Sequence, residues 1–174
     1  QPMRLVQKPD GSYINEGPLA GFRRFGDPDR KLLCGPTPWG ELVAVNMDTG
    51  NVVYRKTLGV SDNLPAGMQD TGRASTGGVV LTASGLTFVG GTDDYRFRAF
   101  ATATGEKLWE IKLPSSIEAT PMTYTGADGR QFVAVQSGWG IDSRGMQGRL
   151  NLARPGEFPE VPEGGSVWVY ALPR

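Results

Sequence analysis

Ala44-Val45-Asn46-Met47-Asp48-Thr49-Gly50-Asn51-Val52-Val53-Tyr54 and Ala99-Phe100-Ala101-Thr102-Ala103-Thr104-Gly105-Glu106-Lys107-Leu108-Trp109 read alike at an offset of 55 positions. Each is a short apolar strand, a Thr-Gly turn, and a second strand that opens toward an aromatic residue. Both stretches close similarly, at Leu58-Gly59 and at Leu113-Pro114. A third, partial copy, Val167-Trp168-Val169-Tyr170-Ala171-Leu172, lacks the Thr-Gly turn. Self-similarity at such a period is the signature of a propeller or a solenoid. Four strands of ~5–6 residues with their turns fill a unit of about 55 residues, the size of a propeller blade.

The stretches between the copies agree. Glu41-Leu42-Val43-Ala44-Val45, Gly78-Val79-Val80-Leu81-Thr82, Leu86-Thr87-Phe88-Val89-Gly90 and Gln131-Phe132-Val133-Ala134-Val135 are β-branched or aromatic and bounded by turn formers. Thr82-Ala83-Ser84-Gly85 joins two of them at hairpin spacing, and Gly126-Ala127-Asp128-Gly129 joins Met122-Thr123-Tyr124 to the strand at Gln131. No stretch carries a sustained helical period. The expectation is an all-β chain.

Composition narrows the chemistry. The chain has 174 residues, 25 glycines and 13 prolines, well above the usual ~12% for the two together. With four Trp and seven Phe alongside, this describes tight turns between short strands rather than disorder. Lys and Arg number 18 against 18 Asp and Glu, which argues against a nucleic-acid partner. The absence of histidine removes Ser-His-Asp and Cys-His catalysis and His-ligated zinc from this chain. A single cysteine, Cys34, excludes an internal disulfide and a cysteine metal cluster. No apolar run approaches the ~18 residues of a membrane span. Gln1-Pro2-Met3-Arg4 shows no signal-peptide pattern, which is expected of a mature, processed or partial chain.

Residues 1–40 form a charged, turn-rich lead-in, with Asp27-Pro28-Asp29-Arg30-Lys31 as an exposed loop. Residues 41–174 are expected to form the blades, interrupted by a long Gly- and Pro-rich loop at about 141–165. At 55 residues per unit the chain holds about three blades, whereas propellers close with roughly four to eight. Open sheet edges are an aggregation hazard. The chain is therefore expected to be the C-terminal part of a larger propeller completed by another polypeptide.

The ordered series resembles the quinoprotein dehydrogenases, the PQQ-dependent alcohol and glucose dehydrogenases. The resemblance rests on Pro38-Trp39-Gly40-Glu41-Leu42-Val43-Ala44 with Asp48-Thr49-Gly50, and on Gly77-Gly78 with Thr82 through Gly90. Arg98-Ala99-Phe100, Thr104-Gly105-Glu106-Lys107-Leu108-Trp109, Ala119-Thr120-Pro121-Met122-Thr123-Tyr124 and Trp168-Val169-Tyr170-Ala171-Leu172-Pro173 extend it from about Cys34 to the C-terminus. Asn46 and Ala101 stand where the family's repeat has Asp, and Tyr54 where it has Trp. The resemblance implies an eight-bladed propeller holding pyrroloquinoline quinone (PQQ) and calcium, of which this chain contributes the C-terminal blades. It also implies a periplasmic enzyme that oxidises a small alcohol, sugar or polyol and passes electrons to a cytochrome or a quinone. The family's Asp base, calcium ligands and adjacent-cysteine disulfide have no counterpart here and are expected on the N-terminal chain of the same enzyme.

Blade topology places the loop after Val135, Gly77 and the loop at Thr92-Asp93-Asp94 on one face. The resemblance assigns cofactor contact there to Gly138 and Trp139, and to Thr76, which stands where the alcohol-oxidising relatives carry a Trp before Gly-Gly. A glycine admits close backbone approach, and Trp139 offers a flat surface to a planar quinone; a packing Trp between blades is the competing reading. Trp39 is expected at the same face, with packing the stronger reading; Trp109 and Tyr54 are expected to dock blade against blade, and Trp168 to be core. Asp93-Asp94 suggests calcium less strongly than it suggests a turn beside Tyr95. Asp142 and Arg144 read as a solvated loop. Cys34 is either a buried thiol or a partner for the other chain. The alternatives to the enzyme are a non-enzymatic propeller scaffold and a carbohydrate-binding propeller, and the Ser137–Gly165 region favours the enzyme over both.

Overall fold

The structure, a computed structural model, describes residues 4–16, 26–27, 32–33, 35–117, 119–140, 156 and 164–171. Every regular element among them is a strand, and none is a helix long and apolar enough to cross a membrane. The chain divides into two compact units, residues 1–35 with 144–160 and residues 36–143 with 161–174.

In the first unit, β1 (Arg4–Gln7) pairs antiparallel with β2 (Tyr13–Glu16), and β3 (Gly26–Asp27) pairs with β4 (Leu32–Leu33). The β1–β2 turn is closed by Asp10 Oδ1, which accepts from the Ser12 amide at 2.9 Å and the Ser12 hydroxyl at 2.6 Å. The lead-in expected to be irregular thus carries two short ladders. The loop expected around Pro28–Lys31 and the cysteine at 34 lie outside the described residues.

Among the described residues, the second unit is built of three antiparallel sheets. A two-stranded sheet holds β5 (Glu41–Val45) and β6 (Val52–Thr57). A four-stranded meander holds β7 (Val79–Leu81), β8 (Leu86–Val89), β9 (Arg96–Ala101) and β10 (Lys107–Lys112) in the order β10-β9-β8-β7. A three-stranded sheet holds β11 (Met122–Thr125), β12 (Gln131–Gly140) and β13 (Gly164–Ala171).

The quoted repeat is reproduced in its backbone pairing. Ala44 pairs with Tyr54 and Ala99 with Trp109, and after a register shift in the same place Val45 pairs with Val52 and Phe100 with Lys107. Gly50 N donates to Asn46 O and Gly105 N to Ala101 O, both at 2.8 Å. The two turn glycines have φ of 73° and 68°, a conformation that favours glycine. The bulge left at Val53 and Leu108 twists each hairpin and aims the aromatic residue that follows it.

Those aromatics join the sheets. Tyr54 lies against Gly105, where a Cβ would come within 2.7 Å of the ring, and packs on Leu42, Leu58, Val89 and Phe100. Trp109 meets Tyr170 edge-on at 5.0 Å and Phe97 at 5.9 Å. The second core, Phe97, Leu113, Ile117, Val133 and Val135, takes Trp168 and Tyr170 from β13 against its side. Phe97 and Phe100 point to opposite faces of β9, so the meander is buried on both sides, as a blade between two neighbours must be. Tyr54 and Trp109 pack between sheets, the role expected of them, and Trp168 packs against the Phe97 core, as a core residue of the last strand should.

Candidate functional site

The strands of the second unit alternate in direction, so one set of connections collects at one end. There β7 starts after Gly77-Gly78, β8 stops before Gly90-Gly91, β12 runs out to Gly140 and β13 starts at Gly164. Trp39, just ahead of β5, is partly buried, and its amide donates to Thr71 O at 2.8 Å.

The connection between β10 and β11 is the ledge of this end. Ser115, Ser116 and Ile117 are all buried. On one side a Cβ on Gly77 would come 3.0 Å from Ile117 O and 2.7 Å from the Gly91 Cα. The backbones of Gly77, Gly91 and Ile117 therefore touch with no room for side chains. On the other side the Ser137 hydroxyl donates to Ser115 O at 2.8 Å and Gly138 N donates to Ser116 O at 2.9 Å. Gly138 has φ of 123° and a Cβ there would stand 2.6 Å from the Gly165 Cα, so the bulge between β12 and β13 itself requires glycine. Thr76 is exposed at the same end, held by its amide to Gly91 O at 3.0 Å.

Thr76, Gly77 and Gly138 are thus brought to one end. Trp139 follows Gly138 in β12, and its side chain lies outside the described residues, as do Asp142 and Arg144. Ser115 through Ile117 were not singled out in sequence. The only signal there was a pair of small polar residues after Leu113-Pro114, which any loop could carry.

Charge at this end is consumed internally. Arg73 Nε pairs with Asp93 at 2.6 Å, both side chains being nearly inaccessible. Arg98 bonds Asp94 and also reaches Thr92 Oγ1 at 2.9 Å and Glu110 at 2.7 Å. Asp94 further accepts from the Val60 amide at 2.8 Å. Burial pushes the Asp94 carboxyl up, but the Arg98 hydrogen bond and charge outweigh it and hold the group below its ordinary value. The hydrogen bond from Arg96, with help from Lys112, takes Asp62 down to about 2. Asp93 and Asp94 are therefore members of an ion-pair network that fastens the 58–76 connection to the meander, with Tyr95 in a left-handed turn beside them at φ 64°. Among the described residues no three acid, His or Cys side chains gather to hold a metal.

For a planar, anionic quinone the described residues at this end fit a wall: backbone ridges at Gly77, Gly91 and Gly138, the exposed residue Thr76, and the strand that leads into Trp139. They do not fit a metal seat, since the buried acids are already spent on arginines.

A four-stranded meander stacked between two further antiparallel sheets, with its inter-sheet connections gathered at one end, defines a segment of a β-propeller. Within that class the chain belongs to the PQQ-dependent dehydrogenases: the family model described as PQQ, glucose/ethanol/alcohol dehydrogenase, beta-propeller domain, matches residues 7–133. It is 39% identical to quinoprotein glucose dehydrogenase A of Acinetobacter calcoaceticus over 62% of this chain and 14% of that protein. It is 35% identical to the quinate/shikimate dehydrogenase (quinone) of Acinetobacter baylyi over 76% of this chain and 18% of that protein. Among solved structures it is similar to a europium-containing methanol dehydrogenase, with a TM-score of 0.53 and 28% identity over 76% of this chain and 23% of the other. The chain thus spans less than a quarter of the length of each of these three proteins.

Proposed function

We propose that this chain supplies C-terminal blades of a PQQ-dependent dehydrogenase that oxidises an alcohol, sugar or polyol to the carbonyl compound. The observation that carries this is the Ser115–Ile117 ledge. In a member of this family, it holds both segments expected at the cofactor, Thr76-Gly77 and Gly138-Trp139, at one end of the stacked sheets.

When bound, PQQ would supply the chemistry of a two-electron oxidation of the alcohol, with a cytochrome or a quinone as the proposed electron acceptor. This chain's part is to bind and to exclude water. Thr76 and Gly138 would line the cofactor with their main chain close to it, and Trp139 would supply a flat face. A base for the hydroxyl proton and the ligands of a calcium ion, which would act as a Lewis acid, would come from the preceding blades. The physiological setting of the reading is the periplasm.

Two sheet faces support completion by those blades. Val43 and Val45 on β5, with Val52 on β6, are exposed on the side away from the meander; so are Met122, Tyr124, Val167 and Val169 on the β11–β13 sheet. Contiguous apolar sheet faces of this kind call for cover. The N-terminal part of the same enzyme is the partner proposed.

The test is reconstitution of the complete enzyme that carries this chain. Apoenzyme given PQQ and calcium should reduce an artificial electron acceptor with at least one substrate from a panel of alcohols, sugars and polyols. Apoenzyme given calcium alone should not. Equal rates with and without PQQ would reject the proposal.

A further inference from the structure

We infer that Ser137 is a positioning residue for the cofactor wall, acting through the carbonyl of Ser115. The inference rests on the cofactor reading of this end and adds a residue to it. Ser137 is 2% exposed, so its hydroxyl reaches neither solvent nor any ligand directly. It is nevertheless spent on a single long-range bond, 2.8 Å to the Ser115 carbonyl across a separation of 22 residues. The next residue repeats the bond through its backbone, Gly138 N to Ser116 O at 2.9 Å.

The two bonds act as a clamp at the point where β12 needs one. Between Ser137 and Gly140 the β12–β13 ladder loses its regular register, so cross-strand bonds no longer fix the path of the chain. Gly138, at φ 123°, has no side chain with which to anchor itself. The clamp replaces the missing ladder, and it fastens the strand to the same ledge whose other side touches Gly77 and Gly91. The two segments of the wall therefore share one support, and Ser137 sets the height of the second segment relative to the first.

Ser137→Ala removes one atom and leaves the Ser115 carbonyl buried without that donor. Thr87→Ala is the control. Thr87 is equally buried and its hydroxyl bonds Thr102 Oγ1 at 2.7 Å, at the opposite end of the meander. In the complete enzyme, PQQ affinity is measured by titrating apoenzyme and following the cofactor's absorbance, and hydrogen exchange is followed at the Gly138 amide. Ser137→Ala should raise the PQQ dissociation constant and the Gly138 exchange rate by roughly tenfold each. Thr87→Ala should lower the melting temperature comparably and change neither. A Ser137→Ala enzyme that binds PQQ as the parent does, or a Thr87→Ala enzyme weakened equally, overturns the inference while leaving the cofactor reading intact. A parent enzyme that takes up no PQQ overturns both.

Discussion

Arg98 and Asp94 show how much a single buried pair is asked to do. Asp94 accepts from Arg98, Thr92 and the Val60 amide, and so ties the 58–76 connection to β9. Replacing Arg98 by Met strands a buried carboxylate, and should destabilise the protein by about 3–5 kcal/mol in urea unfolding. Adding Asp94→Asn to that variant should recover a large part of the loss. The acid limb follows from the same groups. Asp62 sits at about 2 when folded, below its unfolded value of about 3.9, and Asp94 is lowered too. As pH falls the unfolded chain takes up these protons first, so the stabilisation is complete above about pH 4 and disappears as pH falls toward 2. A denaturation midpoint flat across that interval would contradict the assignment. These pairs were hidden in sequence because Asp62 and Arg96, or Arg73 and Asp93, meet only once a connection folds back on a sheet. Asp93-Asp94 by themselves looked like any acidic turn.

At the scale of elements, the Thr-Gly hairpins were legible to the residue. The offset of 55 predicted equivalent strands, and the shared bulge and turn hydrogen bonds follow from it. The strand ends were less legible: β12 continues past Val135 to Gly140, because its partner β13 extends with it and no local signal marks that pairing. The ledge at Ser115–Ile117 has no periodicity at all. Its importance comes from what leans on it. Packing between hairpins yields a direct prediction. Gly105→Ala places a methyl within 2.7 Å of the Tyr54 ring and also strains a φ of 68°. It should cost about 1–3 kcal/mol in thermal unfolding, more than Gly50→Ala, where a methyl meets open space and only the φ is strained. Trp109→Ala removes the edge contacts to Tyr170 and Phe97 of a side chain that is 37% exposed and should cost about 1–2 kcal/mol. Equal losses for the two glycine variants would show that Tyr54 does not dock as described.

At the scale of the molecule, the propeller class was readable because a repeat constrains many strands at once. The catalytic half of the reading was not, since a base, a metal seat and a substrate pocket are constellations drawn from several blades. A chain covering 14% to 18% of its relatives cannot display them in its own spacing. Resemblance supplied that part, and it is the part that experiment must decide. The most direct measurement is the cofactor content of the complete enzyme that carries this chain, denatured and its released small molecule identified by absorbance and mass. The account predicts PQQ in a one-to-one ratio with the propeller. Release of no quinone, from an enzyme that also fails to take up PQQ when calcium is present, would contradict it and leave a propeller without redox chemistry.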